Sequence, residues 1–494
     1  MVPSDFGKLM PELVLVVAAA LIIVADVASA RRRTGLYSSI AVAGLLLSAW
    51  LSVRLGPDRP QLLLGNMAAL DAFSVFFMPV FAGASLLAVL FSLKSSELTK
   101  ERHAEYLALV MVFTAGMMFV AAASSLVMLY LSMEMIGICA YALTAFNPGH
   151  PRSSEAGLKY AIFGAVASGI MLFGISIFYG LTGALDYPEI RRAIPSLATA
   201  NGPQAALLVV AVVFITGGFA YKIAAVPFHA WCPDAYEGAP TPFAALMSVA
   251  PKAAGFAALT RFLYTVLSNA HSGGNFEPAF DVPWPAILGI VAVLTMTLGN
   301  LSAITQSNLK RMLAYSSIAH AGYMLMGVVA LSREGASALC AYVVIYLIMN
   351  MGAFLAVLAV SEAAGGEEIS HWRGMGERLP LVGVAMTVFL FSLTGLPPFA
   401  GFVGKFYLFA AVVSRGGFWY WVLAVAGILN SVVSLYYYAR IVRAIYLEEP
   451  ASNEPLTIHS SQRVLLYALA AATILLGIYW TPLSELVARA ASFV

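Results

Sequence analysis

The chain has 494 residues, of which 61% are hydrophobic and only 11% are charged, whereas soluble domains carry about 25% charged residues. This composition excludes a soluble protein with a single anchor and predicts a fold whose solvent is lipid. The formal net charge of +2 is too close to neutral for a nucleic-acid-binding protein, and no basic cluster is interleaved with aromatic residues. No nucleic-acid partner is therefore expected.

Fourteen apolar runs of about 20 residues or more predict transmembrane helices. The first run ends at Arg31, Arg32 and Arg33 and lacks a small-residue cleavage site, so it is expected to remain as a span rather than be removed as a signal peptide. No loop is long enough for a soluble nucleotide-binding or redox domain. The predicted spans lie near residues 9–29, 37–56, 67–93, 104–123, 125–146, 155–183, 204–233, 241–269, 284–305, 309–331, 335–362, 379–414, 418–447 and 463–490.

The distribution of cations predicts the orientation of these spans. With four intramembrane lysines set aside, the odd-numbered loops hold 14 Lys and Arg, and the even-numbered loops and termini hold 9. The bias favours odd-numbered loops in the cytoplasm and both termini on the periplasmic side. Nothing at the N-terminus resembles an organelle presequence, which favours the inner membrane of a bacterium.

Two spans are too long and are interrupted near their middles. Pro227 interrupts the seventh span, because proline removes a backbone hydrogen bond and clashes with the preceding turn. Gly395, Pro397, Pro398 and Gly401 interrupt the twelfth span. Irregular backbone at membrane depth is tolerated only inside protein or beside water. Broken helices at corresponding places in two halves are typical of a transporter site.

The two breaks do correspond, because they lie five spans apart and each contains a Pro-Phe pair. Lys222 precedes the first break and Lys405 follows the second, which fits two inverted five-helix repeats formed by spans 4–8 and 9–13. The alternative is a chance coincidence of two ordinary helix prolines. The predicted organisation is a single membrane domain, 1–494, which contains three N-terminal helices in 1–103, the two repeats in 104–269 and 284–447, and a C-terminal helix in 463–490.

Four lysines and one glutamate lie inside predicted spans, where a charge costs about 2.5–3.5 kcal/mol on insertion scales. Glu134, Lys222 and Lys252 are near the middles of their spans, and Lys405 lies about nine residues from a span end. Each has a structural alternative to proton exchange: a protonated, hydrogen-bonded carboxyl for Glu134, a permanent ion pair with Glu134 for Lys222 and Lys252, and interfacial snorkelling for Lys405. In the functional reading, Glu134 is the acidic partner of a lysine. Lys159 is a weaker candidate for a functional residue, because Glu155 four residues earlier offers an ordinary helical ion pair.

His320 lies in the middle of the tenth span, near Ser316, Ser317 and Tyr323 at helical spacing. A histidine titrates near neutrality and can relay protons, although a neutral histidine bonded between helices is an equally good reading. Taken together, the buried groups predict a line of exchangeable protons along the membrane midplane. We call this line the midplane track; it comprises Glu134, Lys222, Lys252, His320 and Lys405.

Three cysteines are scattered along the chain, and no metal-ligand or nucleotide-binding motif is present, so no cofactor or metal is expected in this chain. The cysteines are read as small apolar residues of helix interfaces. They are Cys139, Cys232 and Cys340.

Six motifs in combination resemble the antiporter-like membrane subunits of respiratory complex I, and among them the subunit N family of the bacterial enzyme. They are MEMIGICAYAL around Glu134, EAGLKYAIFGAVASG around Lys159, YKIAAVPFHAWCPDAYEGAPTP around Lys222, MSVAPKAAGF around Lys252, RMLAYSSIAHAGY around His320 and GLPPFAGFVGKFY around Lys405. The resemblance implies fourteen helices in two inverted repeats and one proton route coupled to quinone reduction elsewhere in the complex.

The resemblance also implies roles for single residues. Glu134 and Lys222 would be the coupling pair of the first half, Lys252 the connecting lysine, Lys405 the terminal lysine and Lys159 a further functional lysine. NADH, FMN, iron–sulfur clusters and quinone are expected in partner subunits, which include sister antiporter-like subunits. The alternative is a subunit of a multisubunit sodium/proton antiporter, whose members share the lysines at the broken helices.

Overall fold

The computed structural model describes residues 3–29, 33–56, 60–198, 203–271, 274–279, 283–450, 454 and 456–491. Thirteen helices of this described chain are long and apolar enough to cross a membrane, and two shorter apolar helices, α16 and α17, together make the fourteenth span. The predicted fourteen spans are therefore confirmed. The helices are α1 Pro3–Lys8, α2 Met10–Ala28, α3 Thr34–Arg54, α4 Ala72–Ser92, α5 His103–Ala122, α6 Leu126–Thr144, α7 Pro151–Thr182, α8 Tyr187–Ala198, α9 Pro203–Lys222, α10 Trp231–Gly238, α11 Thr241–Thr265, α12 Trp284–Ile304, α13 Leu309–Val329, α14 Arg333–Ala364, α15 Met375–Arg378, α16 Pro380–Thr394, α17 Ala400–Ser414, α18 Phe418–Leu447, α19 Ser460–Ile478 and α20 Thr481–Ala490, with a 3₁₀ turn at Ile369–Trp372.

The described residues also form two small antiparallel hairpins, so the chain is not helical throughout. In the second loop, β1 (Gln61–Leu63) pairs with β2 (Ala68–Leu70), and in the eighth loop β3 (Ser268–Ala270) pairs with β4 (Phe276–Pro278). Strands of three residues carry no periodic pattern, which is why the sequence prediction overlooked them.

The prediction of one C-terminal helix over 463–490 is wrong. The helix α19 ends at Ile478, and α20 begins at Thr481 with Pro482 in its first turn. Tyr479 leaves helical geometry, with a φ of −126° and a ψ of 83°, and Pro482 favours the first turn of a new helix, so the two helices are separate. The sixth loop likewise contains a helix, α8, that was not predicted.

The loops alternate between two faces of the molecule, as the orientation argument requires. A polar cavity of about 490 Å³ is lined by residues of five odd-numbered loops or their helix ends, including Glu97, Asn147, Asn308 and Glu367. The even-numbered loops pair with one another through backbone bridges such as that between Asn275 and Ser332. We call the two sides the odd-loop face and the even-loop face. Arg31, Arg32 and Arg59, which the cation count included, lie outside the described residues.

Two of the predicted residues, Lys252 and His320, stand on the most enclosed spans of the described chain. Every residue of the apolar window of α11 is buried, and α13 and α14 are nearly as enclosed. By contrast, α2, α3, α7, α18 and α19 leave much of their apolar surface open, as expected for helices that face lipid or another membrane subunit. Charges on α11 and α13 are therefore held by protein rather than by lipid.

Asp71 and Arg261 form a buried ion pair that the sequence does not predict. Asp71 stands near the start of the predicted third span, and Arg261 is one of the cations counted outside the four intramembrane lysines, but both are buried and form a bidentate ion pair, with nitrogen–oxygen distances of 2.6 and 2.8 Å. Arg261 also donates to the carbonyl of Ala121 at 3.1 Å. Burial acts to raise the pKa of Asp71, but Arg261 and the amide of Ser74 outweigh it and hold that pKa below its ordinary value of 3.8.

Candidate functional site

The first broken span leaves Lys222 at a helix end. The helix α9 ends at Lys222, the chain then continues without helical structure to Ala230, and α10 begins at Trp231. The indole of Trp231 donates to the carbonyl of Tyr221 at 3.2 Å and so ties the second half-helix to the end of the first. The last carbonyls of a helix carry partial negative charge, which favours a cation at this position.

The second broken span holds Lys405 in a related way. The helix α16 ends at Thr394, Gly395 has a φ of +92°, and α17 begins at Ala400. The Lys405 ammonium donates to the carbonyl of Thr394 at 2.9 Å, so a lysine on one half-helix satisfies an orphan carbonyl of the other. A Cβ atom at Gly395 would lie only 2.9 Å from Cδ of Lys405, which makes glycine necessary for space as well as for backbone conformation.

Glu134 and Lys222 line one small cavity. Its volume of about 20 Å³ is enough for one water molecule, and Tyr130, Tyr141 and Tyr221 complete much of its wall. The Glu134 carboxylate accepts a hydrogen bond from the hydroxyl of Ser168 on α7.

The structural alternative, a permanent ion pair between Glu134 and Lys222, is not formed in the described part of the chain. Among the described residues, no cation lies within 4.0 Å of the Glu134 carboxylate. The two groups share a space of water-molecule size, so a single bridging water is the geometry that would connect them.

Lys222 approaches the next lysine through a glycine. A Cβ atom at Gly255 would lie 3.5 Å from Cγ of Lys222 and 2.9 Å from Cγ2 of Ile223, so the absence of a side chain there lets α9 pack closely on α11. Gly255 is three residues after Lys252, which places it almost one turn along the same helix. Lys222 and Lys252 therefore lie about one helical turn apart along the contact between α9 and α11.

Lys252 is bonded to the second repeat. Its ammonium donates to the hydroxyl of Ser317 on α13 at 2.6 Å and lies 5.6 Å from the ring centre of Tyr236. The thiol of Cys232 is 4.0 Å from the same nitrogen. Because Lys252 is on the last helix of the first repeat and Ser317 on the second helix of the other, this hydrogen bond crosses between the repeats.

His320 lies one turn beyond Ser317 on α13 and contacts two tyrosine hydroxyls. Its Nδ1 is 2.7 Å from the hydroxyl of Tyr342, and its Nε2 is 3.5 Å from that of Tyr438. Its ring also packs beside Tyr323, with ring centres 5.7 Å apart. The histidine is buried and placed where hydroxyl groups can pass protons to it.

Tyr323 and Ser431 connect His320 with Lys405. The ammonium of Lys405 lies 4.3 Å from the ring centre of Tyr323 and donates to the hydroxyl of Ser431 at 3.0 Å. That hydroxyl in turn donates to the hydroxyl of Tyr323 at 3.2 Å. Hydroxyl groups thus lie beside Lys252, His320 and Lys405, whereas Lys222 and Lys252 are related only through the close packing of α9 on α11 at Gly255.

Lys159 lies apart from the midplane track, near the odd-loop face. Its side chain is 42% exposed, and its ammonium pairs with Glu155 at 2.7 Å and with Asp234 at 2.6 Å. The pairing with Glu155 was predicted, whereas the pairing with Asp234 was not. A polar cavity of about 310 Å³, which we call the odd-face basin, is lined here by Arg152, Glu155, Lys159, Asp234, Glu237 and Arg311.

Aromatic rings fill the space between Lys222 and the even-loop face. Phe219, one turn before Lys222, packs against Phe262 with ring centres 6.0 Å apart. Phe178 and Tyr187 pack on the same ring of Phe262 at 6.2 and 5.7 Å. We call these four residues the aromatic layer. The first repeat therefore has a polar basin toward the odd-loop face and packed aromatic rings between Lys222 and the even-loop face.

Several hydroxyl groups of the site were missed by sequence reasoning, which singled out only Ser316, Ser317 and Tyr323. Ser168, Tyr342, Ser431 and Tyr438 belong to other helices and stand in ordinary apolar runs, so no local spacing marks them. Within the described part of the chain, no group of three or more His, Cys, Asp or Glu side chains could hold a metal ion.

Comparison with known proteins shows the family to which this chain is related. Residues 123–431 match the family described as NADH:quinone oxidoreductase/Mrp antiporter, transmembrane. The chain is 45% identical to NADH-quinone oxidoreductase subunit N of Anaeromyxobacter sp. strain Fw109-5, an alignment that covers 96% of this chain and 94% of that protein. It is 46% identical to NADH-quinone oxidoreductase subunit N 2 of Sorangium cellulosum strain So ce56, with 98% and 96% covered.

Solved structures share the fold over almost the whole chain. A chain of respiratory complex I from Thermus thermophilus with bound aureothin gives a TM-score of 0.77 at 29% identity and covers 98% of this chain and 100% of its own length. A chain of the Mrp complex from Dietzia sp. DQ12-45-1b gives a TM-score of 0.83 at 22% identity, with 99% and 97% covered. The second likeness concerns the fold alone.

Proposed function

Because the chain belongs to the subunit N family of NADH-quinone oxidoreductases, we propose that it is a proton-translocating membrane subunit of such a complex and that the midplane track carries the protons. The chain contributes no redox centre. NADH oxidation, FMN, iron–sulfur clusters and quinone reduction belong to partner subunits, and this subunit supplies a route for protons through the membrane.

The succession of polar groups inside the membrane, with Glu134 and Lys222 in one cavity and Lys252, His320 and Lys405 beside shared hydroxyl groups, is the observation that carries this proposal. Buried ammonium groups that repel one another cannot all be charged at low cost, because two charges 4 Å apart interact by about 4 kcal/mol at an effective dielectric constant of 20. A change of charge at Glu134 therefore alters the free energy of a proton on Lys222, and the disturbance passes through Lys252 and His320 to Lys405. The intervening hydroxyl groups supply short steps for the proton itself.

The two ends of the route follow from the polar surroundings. Lys159, in the odd-face basin, is the group that would take up protons from the odd-loop face, which the cation bias assigns to the cytoplasm. The termini would then lie on the periplasmic side of a bacterial inner membrane. Glu134 is only half-buried in this chain, so a sister antiporter-like subunit is the partner expected to cover it, since lipid would not tolerate the charge.

A second candidate is a subunit of a multisubunit sodium/proton antiporter, favoured by the fold shared with the Mrp complex. The sequence identity of 45% to a subunit N protein, against 22% to the Mrp chain, favours the first candidate. Purification of the native assembly separates the two. Co-purifying flavin and iron–sulfur subunits indicate the oxidoreductase, and an assembly without redox centres indicates the antiporter.

The central test is Lys222→Ala in the intact complex, reconstituted in sealed vesicles. We expect NADH oxidation and assembly to be largely retained while the number of protons translocated per NADH falls, because the track loses its second group. Lys100→Ala, an exposed lysine outside the spans, is the matched control and should pump normally. A normal proton-to-NADH ratio in Lys222→Ala would refute the assigned role.

A further inference from the structure

The eight-residue helix α10 contacts the odd-face basin on one side and the midplane track on the other. Its acidic residues, Asp234 and Glu237, line the basin. Its other side presents Cys232 and Tyr236, which are fully buried beside Lys252 and Ser317. The helix follows the break at Pro227, so it is joined to α9 by non-helical backbone rather than by a continuous helix.

Asp234 holds two cations that belong to different repeats. One carboxylate oxygen accepts from Lys159 on α7 at 2.6 Å, and the other accepts from Arg311 on α13 at 2.6 Å. Both contacts are charge-assisted and short, which is the strong class of hydrogen bond. The carboxylate is 28% exposed, so it is open to the water of the basin while it bridges the two repeats.

The two neighbouring glutamates each pair with only one of these two cations. Glu237 accepts from Arg311 at 2.8 Å but does not contact Lys159, and Glu155 pairs with Lys159 at 2.7 Å but does not contact Arg311. Among the described residues, Asp234 is the carboxylate with ion-pair contacts to both cations. The chain therefore offers two natural controls for it.

The opposite side of α10 borders the hydrogen bond between the repeats. The hydroxyl of Ser317 is 3.4 Å from the hydroxyl of Tyr236 and 3.9 Å from the thiol of Cys232. Ser317 is also the acceptor for Lys252, and it lies six residues after Arg311 on α13, about 9 Å along the helix. A displacement of α10 or of the start of α13 would thus change the surroundings of the Lys252 ammonium.

We propose that Asp234 is a positioning residue that couples proton uptake at the odd-face basin to Lys252, by clamping α10 between Lys159 and Arg311. This inference rests on the proposed function and extends it. When the charge of Lys159 is lost, Asp234 is left with Arg311 alone, and α10 is drawn toward the second repeat. Tyr236 and Cys232 move with α10, and this movement changes the hydrogen bond between Lys252 and Ser317. Asp234 carries no proton along the track.

The test uses the intact complex in sealed vesicles and compares Asp234→Asn with Glu237→Gln and Glu155→Gln. Assembly, NADH oxidation and the number of protons translocated per NADH are measured for each. Asp234→Asn should lower the proton-to-NADH ratio to the value found for Lys222→Ala, while the assembled complex is retained. Glu237→Gln and Glu155→Gln each leave Asp234 in contact with both Lys159 and Arg311, so both should keep a clearly higher ratio than Asp234→Asn. Asp234→Glu, which retains the charge, should also keep much of the wild-type ratio.

The outcomes separate the two proposals. A wild-type ratio in Lys222→Ala would refute the proposed function itself. A reduced ratio in Lys222→Ala together with a wild-type ratio in Asp234→Asn would overturn only the role of Asp234. The same holds if Asp234→Asn lowers the amount of complex without changing the ratio, because that is the result of a purely structural contact. Equal losses in all three acid variants would also overturn it, since no clamp specific to Asp234 would then exist.

Discussion

Replacing Asp71 by asparagine should destabilise the chain by about 3–5 kcal/mol, the usual cost of removing one partner from a buried ion pair. The structure supports a loss of stability this large, because two short nitrogen–oxygen contacts join fully buried groups. Asparagine is chosen because it caps a helix as well as aspartate does, so the bond to the amide of Ser74 at the start of α4 is kept. The loss then reports the uncompensated charge of Arg261.

The assay is thermal unfolding of the detergent-purified complex. Unfolding is monitored as the loss of this subunit from the intact assembly. The double variant Asp71→Asn with Arg261→Met should be more stable than Asp71→Asn alone, because it leaves no buried charge without a partner. Since the pKa of Asp71 is held below 3.8, the contribution is present above that pH and disappears only as the pH falls through the lowered pKa. Measurements at neutral pH therefore record all of it.

Arg191→Gln is the matched control, because Arg191 lines the same cavity as Arg261 but is only partly buried and donates to a carbonyl at 3.3 Å. It should change stability by no more than about 1 kcal/mol. If Asp71→Asn unfolded at the wild-type temperature, or if the double variant were the less stable of the two, the reasoning from an unpaired buried charge would be refuted.

Two further predictions concern the second repeat. Gly395→Ala should cost about 1–2 kcal/mol through its left-handed backbone and should reduce proton translocation by displacing Lys405. Gly416→Ala has a similar backbone but open surroundings, so it should cost stability without lowering the proton-to-NADH ratio, and equal ratios in the two variants would contradict the steric argument. Ser431→Ala should slow proton translocation because Lys405 loses a hydrogen-bond acceptor, whereas Ser434→Ala, one turn away, should not; vesicle pumping rates decide between them.

The sequence was sufficient to predict the spans and both helix breaks, because hydropathy and proline act locally. It placed Lys222 and Lys405 at the breaks for the same reason. It did not predict that Lys405 would bind the carbonyl of Thr394, since that contact depends on how the two half-helices overlap.

Long-range polar contacts were beyond the reach of the sequence. Asp71 and Arg261 are 190 residues apart, and each taken alone reads as an interfacial charge. Nothing in the local sequence of Asp234 indicates its contacts with Lys159 and Arg311. The sequence also could not show that Glu134 and Lys222 line one cavity with room for a water molecule, because this depends on how their helices pack.

The aromatic layer has an electrical consequence. A membrane potential falls mainly across the least polarisable part of its path, and here that part is the packed rings of Phe178, Phe219 and Phe262 rather than the water-accessible basin on the opposite side. A unit charge that crosses the full drop does about 2.3 kcal/mol of work for every 100 mV. If Lys222 carries protons as proposed, a proton that leaves it toward the even-loop face would cross these rings, and its work against the membrane potential would be concentrated over their thickness rather than over that of the whole bilayer.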